Sequence, residues 1–373
     1  MVKIHFMNKM IVSNLAYRPL RSIISIFAVA IEVTLILMIV GLMLGILDDS
    51  KERQKGLGAD VIVRPPGSAN FAAFSAAPAS VKYADLLRKQ PHVEAVTPVV
   101  LQTTVSLNSI EILNGIDLAS FEAVGGPLSY LEGGPFEGPD SMVVDDIYAS
   151  GNKVHTGSVV TVLNHDFKVC GVIPHGRGSR RYVPITTMQE LTGNQGKASV
   201  FYVKLDDHNN DTAAVQQFKS LLPNFVVTST REWMALMTAD NIPGLSIAIK
   251  VVIGIAVIIG FIVIFQSMYT AVMERTREIG ILKSLGASKF YVVRLILRET
   301  LLLAIAGVIV GFAISELGRI GIVHRFPTLR VLPINVRWAF YSALIALGGA
   351  MLGAIYPAFK AAQKDPIDAL AYE

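Results

Sequence analysis

One cysteine, Cys170, stands in 373 residues, so no disulfide can close within the chain. Charge is scarce too: Asp, Glu, Lys and Arg make up 17% of the residues, against about 25% in ordinary soluble domains. The formal net charge of +4 is spread over the whole length and offers no bulk field for nucleic acid. With 52% hydrophobic residues, the composition also excludes intrinsic disorder, which needs low hydrophobicity and high net charge. Chemistry-bearing motifs are equally sparse. A phosphate-cradling P-loop needs glycines and a Lys-Ser/Thr pair, but Gly196-Lys197 is followed by Ala198 and has Leu191 where the first glycine belongs. His155, His165, His175 and His208 fall in separate turns without HExxH or CxxC spacing, so no metal site is expected. His175, Arg177, Arg180 and Arg181 form a small basic cluster. A solvated glycine-rich loop explains it more simply than a pocket for an anionic headgroup.

What the sequence does contain is four apolar blocks. Residues 23–47 are interrupted by charge only at Glu32, and residues 251–273 and 338–359 carry none. Residues 295–317 hold Arg298, Glu299 and Glu316 near their ends, where long side chains reach the interface. Each block is long enough to cross the hydrocarbon core, which takes about 20 residues, so four transmembrane helices are predicted. Ala28-Val29-Ala30 resembles a signal-peptide cleavage site, but the apolar run continues far beyond it and the span is read as uncleaved. Lys3, Lys9, Arg18, Arg21, Arg275, Arg277, Lys283, Lys289, Arg294, Lys360 and Lys364 lie on one side of these spans; Arg319, Arg325, Arg330 and Arg337 lie in the short loop on the other. The bias places both termini, 1–22 and 360–373, in the cytoplasm together with 274–294, and puts 48–246 and 318–337 outside the inner (plasma) membrane.

The long outer segment reads as mixed α/β. Residues 60–64 are a strand pattern, 81–89 a helix ending before Pro91, and 93–100 a strand broken by Pro98. The same order recurs at 201–205, 211–222 (stopping at Pro223) and 225–228. Two such units predict a ferredoxin-like split βαβ lobe. Residues 110–196 would be inserted into it as a second, β-rich lobe, with strands at 143–144, 159–163, 167–173 and 182–183 punctuated by Gly125-Gly126-Pro127 and Gly133-Gly134-Pro135. The Ala/Ser-rich stretch 67–80 is read as a mobile loop, with Phe71 and Phe74 as minor candidates for docking a partner.

Between the second and third spans the chain reads Glu274-Arg275-Thr276-Arg277-Glu278-Ile279-Gly280-Ile281-Leu282-Lys283-Ser284-Leu285-Gly286-Ala287-Ser288-Lys289. This predicts a short charged helix with Ile281, Leu282 and Leu285 on its apolar side, braced by Glu274–Arg277 and Arg275–Glu278 at i,i+3. Gly286 suits its C-terminus, and Ser288 the N-cap of the next helix. An amphipathic helix lying on the lipid surface is the plainer alternative.

The wording of residues 277–287, together with Tyr356-Pro357-Ala358, Lys360-Ala361-Ala362 and Asp365-Pro366-Ile367-Asp368-Ala369-Leu370, resembles the permease subunits of the MacB-like and FtsX-like ABC transporter family, also called type VII or mechanotransmission transporters. Gly58-Ala59-Asp60, Val93 to Val100 and Phe167 to Ile173 resemble the family's external domain. The resemblance implies a non-catalytic permease that works as a dimer, a homodimer in the simplest case, with cytoplasmic ATPase subunits. ATP and Mg would be bound by those subunits and no cofactor by this chain. The loop after span two would be the coupling helix, docking on the ATPase through Glu274, Arg275, Arg277, Glu278, Ile279, Leu282, Lys283 and Gly286. The chain starts about 20 residues before its first span, which makes the ATPase a separate subunit in this reading. Motion of the external lobes would drive export or extraction of a cargo, with a periplasmic adaptor and membrane lipids as further partners. The family leaves an alternative open: an FtsX-like regulator of a cell-wall hydrolase or signalling partner, without transport. A membrane-bound enzyme would need a catalytic constellation that the outer segment does not display.

Two GxxxG patterns, Gly41 to Gly45 and Gly307 to Gly311, fit close helix packing and dimerisation, although such patterns also arise by chance. Glu32, costly in lipid, is expected to face protein or water, in a structural hydrogen bond or a relay.

Overall fold

The computed structural model describes residues 19–67, 78–105, 110–242, 244–326 and 328–364. Phe71, Phe74, the motif 365–370 and the basic residues Lys3, Lys9 and Arg18 lie outside them. In chain order the elements are α1 (Pro19–Gly56), β1 (Val61–Arg64), β2 (Ala79–Ser80), α2 (Lys82–Arg88), β3 (Val93–Val105), β4 (Ile110–Ile116), α3 (Leu118–Gly125) and β5 (Glu132–Gly133). Then follow β6 (Ser141–Asp145), α4 (Asp146–Asn152), β7 (Val159–Val162), β8 (His165–Ile173), β9 (Arg181–Pro184), α5 (Ile185–Leu191), β10 (Lys197–Ala198), β11 (Val200–Leu205), α6 (Asp211–Leu221) and β12 (Val226–Ser229). The last are α7 (Thr230–Leu236), α8 (Leu245–Glu274), α9 (Thr276–Ser284), α10 (Lys289–Arg325) and α11 (Val336–Gln363). The chain divides into a helical unit (Met1–Leu44, Gly244–Ile322, Val331–Glu373) and an α/β unit (Gly45–Pro243, Val323–Arg330).

In the helical unit, α1, α8, α10 and α11 have 38, 30, 37 and 28 residues and are long and apolar enough to cross a membrane. At about 1.5 Å per residue, α1 and α10 far exceed a hydrocarbon core of about 30 Å. The buried face of α11 is built from small residues, Ala346, Gly349, Ala350, Gly353, Ala354 and Ala358. They let α11 lie against α8 so closely that a Cβ on Gly353 would stand 2.9 Å from the Phe261 carbonyl oxygen. Close approach of this kind replaces the hydrophobic effect as the source of cohesion where the surrounding solvent is itself hydrocarbon.

In the α/β unit, β1–α2–β3 and β11–α6–β12 form the ferredoxin-like lobe, with strand order β12-β1-β11-β3 and every neighbouring pair antiparallel. Alternation along β1 sends Val61 and Val63 to the same core as Leu87 of α2, Phe201 and Val203 of β11 and Phe218 of α6. Pro98 does not break β3. It pairs with Phe201 and stands one residue before β4 joins the opposite edge at Val99, so on that side it has no ladder partner to lose. Beyond Pro98, β3 carries the sheet onward through β4, β9, β6, β8 and β5. The inserted segment therefore extends the first lobe's sheet, and α3, α4 and α5 stand among its strands where the sequence pattern showed only short strands and turns. Gly58, at φ +78°, turns the chain from α1 into β1. Asp60 then accepts hydrogen bonds from Leu205 N at 2.8 Å and pairs with His208 Nδ1 at 2.6 Å, which accounts for the Gly58-Ala59-Asp60 wording.

Candidate functional site: the helix between the second and third spans

The backbone leaves helical geometry at Arg275 (φ −106°, ψ 17°), which ends α8 and starts α9. Glu274–Arg277 and Arg275–Glu278 therefore straddle a break instead of bracing one helix. The charges turn elsewhere. Arg275 Nη1 reaches both oxygens of Glu299 on α10, at 3.2 and 3.1 Å. Arg21 of α1 joins the same carboxylate at 3.4 Å and Glu274 at 3.4 Å. Glu299 is buried, and its two guanidinium partners give it the compensation that a buried charge requires.

The far end of α9 is held as firmly. Lys283 Nζ donates to the Ala362 carbonyl at 3.0 Å and to that of Lys364, covering carbonyls left open at the C-terminus of α11. Leu285-Gly286-Ala287 closes α9 in a Schellman motif: Gly286 N donates to Lys283 O and Ala287 N to Leu282 O, both at 3.0 Å, with Gly286 at φ +94°. Ser288 Oγ then accepts from Tyr291 N at 3.2 Å and caps α10. The physical content of this stretch is thus a helix stop followed at once by a helix start.

The inward face of α9 consists of Thr276, Ile279 and Gly280. Ile281 and Leu285 point outward, correcting the expected apolar side, and Leu285 is 80% exposed. Arg277, Glu278 and Gly286 are exposed, while Leu282 is half-buried. Ile279 and Leu282 overlook a cavity of about 280 Å³ shared with Val272, Leu295 and Ile296. Of the eight expected docking residues, Arg277, Glu278 and Gly286 face outward together with Ile281, Leu285 and Phe290, whereas Arg275, Ile279 and Lys283 are turned to the bundle. Arg21 and Glu299 were missed as site residues. The signal for Glu299 was an acidic side chain within the first turns of an apolar span.

The glycine patterns serve packing within one chain. A Cβ on Gly307 would lie 2.6 Å from Val29 Cβ, and one on Gly311 2.8 Å from Val33 Cβ, so both glycines are filled by α1. Gly41 accepts at its carbonyl from Leu332 N at 3.2 Å, and Gly45 is buried one turn further on. Gly307 and Gly311 thus let α10 lie directly against α1. Glu32, 2% exposed, abuts Gly260 and Gly349, and neither carboxylate oxygen has a hydrogen-bond partner among the described residues. The expected structural hydrogen bond is therefore not formed there.

The basic cluster in the α/β unit is neither a solvated loop nor an open pocket. His175 pairs with Asp146 at 3.0 Å, Arg177 donates to the carbonyls of Gly125, Gly126 and Pro127, and Arg181 pairs with Glu111 at 3.0 Å. Arg180 is buried between Asp49 and Asp145. Burial pushes the Asp145 carboxyl up to about 6, against the lowering effect of the Tyr148 amide and Arg180. His155, His165 and His208 each lie singly against a carboxylate, Glu132, Asp140 and Asp60 respectively.

Four apolar helices long enough to cross a membrane, with a mixed α/β unit between the first two, define a multi-pass membrane protein. Residues 22–221 match the family model of the MacB-like periplasmic core domain, and residues 250–366 that of the FtsX-like permease C-terminal region. The chain belongs to this MacB-like and FtsX-like permease family. It is 27% identical over 402 aligned positions to the macrolide export ATP-binding/permease protein MacB of Campylobacter jejuni, covering 98% of this chain and 61% of the relative. It is 28% identical over 233 positions to the uncharacterized ABC transporter permease YknZ of Bacillus subtilis, covering 58% and 57%. The chain thus spans about three fifths of the length of these relatives. Among solved structures, the periplasmic region of MacB from Actinobacillus actinomycetemcomitans aligns with 48% of this chain and 92% of its own, at 20% identity and a TM-score of 0.36.

Proposed function

We propose that this chain is the permease part of an ABC transporter in which α9 receives the motion of a cytoplasmic ATPase and passes it through the bundle to the α/β unit, driving export or extraction of a cargo. The observation that carries this reading is the double attachment of α9. Arg275 and Glu299 tie its start to α10 and, through Arg21, to α1, while Lys283 ties its end to α11. A helix anchored at both ends moves its anchors when it is pushed. The outward surface of Arg277, Glu278, Ile281 and Leu285 combines charge with exposed apolar side chains, as suits a protein partner. In this reading both termini are cytoplasmic, ATP and Mg are bound by the ATPase, two permease copies assemble, and an adaptor engages the α/β unit on the far side of the membrane.

The test is co-reconstitution with the ATPase. Glu278→Lys, or replacement of residues 274–283 by a neutral linker, leaves the protein inserted and abolishes stimulation of ATP hydrolysis. Unchanged stimulation refutes the assignment of α9.

A further inference from the structure

Within the helical unit, at the end of the bundle where α10 connects to α11, a cavity of about 310 Å³ opens between α1, α10 and the segment leading into α11. Its walls include Leu37 and Leu44 of α1, Ser315 of α10 and Val331, with Arg319 and Trp338 also lining it. Leu332 N donates to Gly41 O at 3.2 Å and holds the connecting segment over α1 as the cavity's cover.

Three physical points constrain what fills this space. Most of the lining is apolar, from Leu37, Val40, Leu44, Val331 and Ile334, with Ser315, Arg319 and Asn335 as its few polar side chains. Leaving so large an apolar volume empty is destabilising in proportion to the volume, since the lining atoms lose their dispersion partners. The surroundings of a membrane-spanning helix are acyl chains, so the filler nearest to hand is hydrocarbon. The polar residues also have an amphiphile's arrangement. Arg319 is paired through Nε with Glu316 at 3.0 Å, and Arg337 lies 5.7 Å over the Tyr341 ring in the first turns of α11, beside Trp338. Arg337 stands in sequence between Asn335 and Trp338, which line the cavity, and adds a positive charge to the balanced Arg319–Glu316 pair; Trp and Arg are residues that anchor helices at the interface.

We propose that this cavity binds one acyl chain of a membrane phospholipid, with the lipid phosphate beside Arg319 and Arg337. The site is separate from α9 and does not depend on ATP coupling. Lipid in this position supports the segment around Val331 and Leu332 against α1 and so steadies the α10–α11 connection.

The full chain is reconstituted in phosphatidylcholine nanodiscs containing increasing fractions of phosphatidylglycerol with a photoactivatable diazirine in its acyl chain. Labelled peptides are then mapped by mass spectrometry. Labelling of the peptides bearing Leu37 to Leu44 and Val331 to Ile334 saturates, as a site must. Labelling of the exposed α8 residues Ile255 and Ile262 rises in proportion to the probe. Leu44→Trp, which fills the cavity, removes the saturable label and leaves the α8 label unchanged. Arg319→Gln and Arg337→Gln each raise the half-saturating fraction about fivefold, the weight of one basic residue toward anionic lipid. Should Leu44→Trp fail to insert, wild-type saturation together with the arginine shifts decides. Proportional labelling at every position overturns the proposal.

Discussion

Arg180 Nη2 lies 3.1 Å from Asp49 Oδ2, and Nη1 of the same guanidinium lies 3.5 Å from Asp145 Oδ2. All three residues are buried. Asp49 belongs to the last turns of α1, Asp145 ends β6 and caps α4 through Tyr148 N at 2.6 Å, and Arg180 also reaches the Thr328 carbonyl at 3.4 Å. One planar fork thus joins three stretches of the α/β unit, a use for which guanidinium is suited and ammonium is not. Arg330 grips the same end of α1 through Glu52 and Asp48.

Replacing Arg180 by Ala leaves two carboxylates buried without their shared cation. We expect a loss of about 3–5 kcal/mol, the usual cost of removing one partner from a buried ion pair. Amide hydrogen exchange in β9 measures it as a lowered opening free energy. Arg180→Lys recovers only part of the loss, since a point charge cannot bridge both acids.

The Asp145 carboxyl sits at about 6 in the folded protein, above its ordinary 3.8, with burial as the leading cause. The folded state therefore holds this proton more tightly than the unfolded state does. Its contribution is fully present below about pH 4 and is lost as pH rises through about 6, a difference on the order of 2–3 kcal/mol. Compared with Asp145→Asn, which keeps a cap acceptor but cannot titrate, the wild type loses stability between pH 4 and pH 6. Parallel pH profiles for the two proteins would refute the assignment.

Gly307→Leu and Gly311→Leu drive a side chain into Val29 and Val33 of α1. Each is expected to destabilise the bundle by about 1–3 kcal/mol or more through overpacking. Gly254→Leu, where nothing stands within 4 Å of the new Cβ, is the control and is tolerated. Thermal unfolding of the detergent-solubilised chain distinguishes them.

A methyl group on Gly260 falls on Glu32 Oε2. Gly260→Ala is expected to destabilise the bundle by about 1–3 kcal/mol. Adding Glu32→Ala, which clears the space, restores most of the loss, and a double-mutant cycle reads the coupling. Additive effects would show that the two residues do not meet.

The four spans and both βαβ units were legible because length of apolar run, alternation and helix-ending prolines are properties of short stretches. The outward turn of Leu285 was not, since the i,i+4 spacing of Ile281 and Leu285 gives no sign that α8 breaks at Arg275. Nor could spacing show that Gly307 and Gly311 are filled by α1 of the same chain.

The sequence by itself determined that this protein spans a membrane four times, carries a ferredoxin-like α/β lobe and stops and restarts a helix at Leu285-Gly286-Ala287-Ser288. Hydrophobic length, strand period and capping chemistry each act within a few residues. Only the tertiary structure decided that Arg275 meets Glu299 and Lys283 the end of α11, and that Arg180 clamps the end of α1 rather than float in a loop. Arg180 finds Asp49 across 131 positions of sequence. Such pairings are set by which buried surfaces close on one another, because a charge taken out of water must find its counterpart wherever the fold brings one.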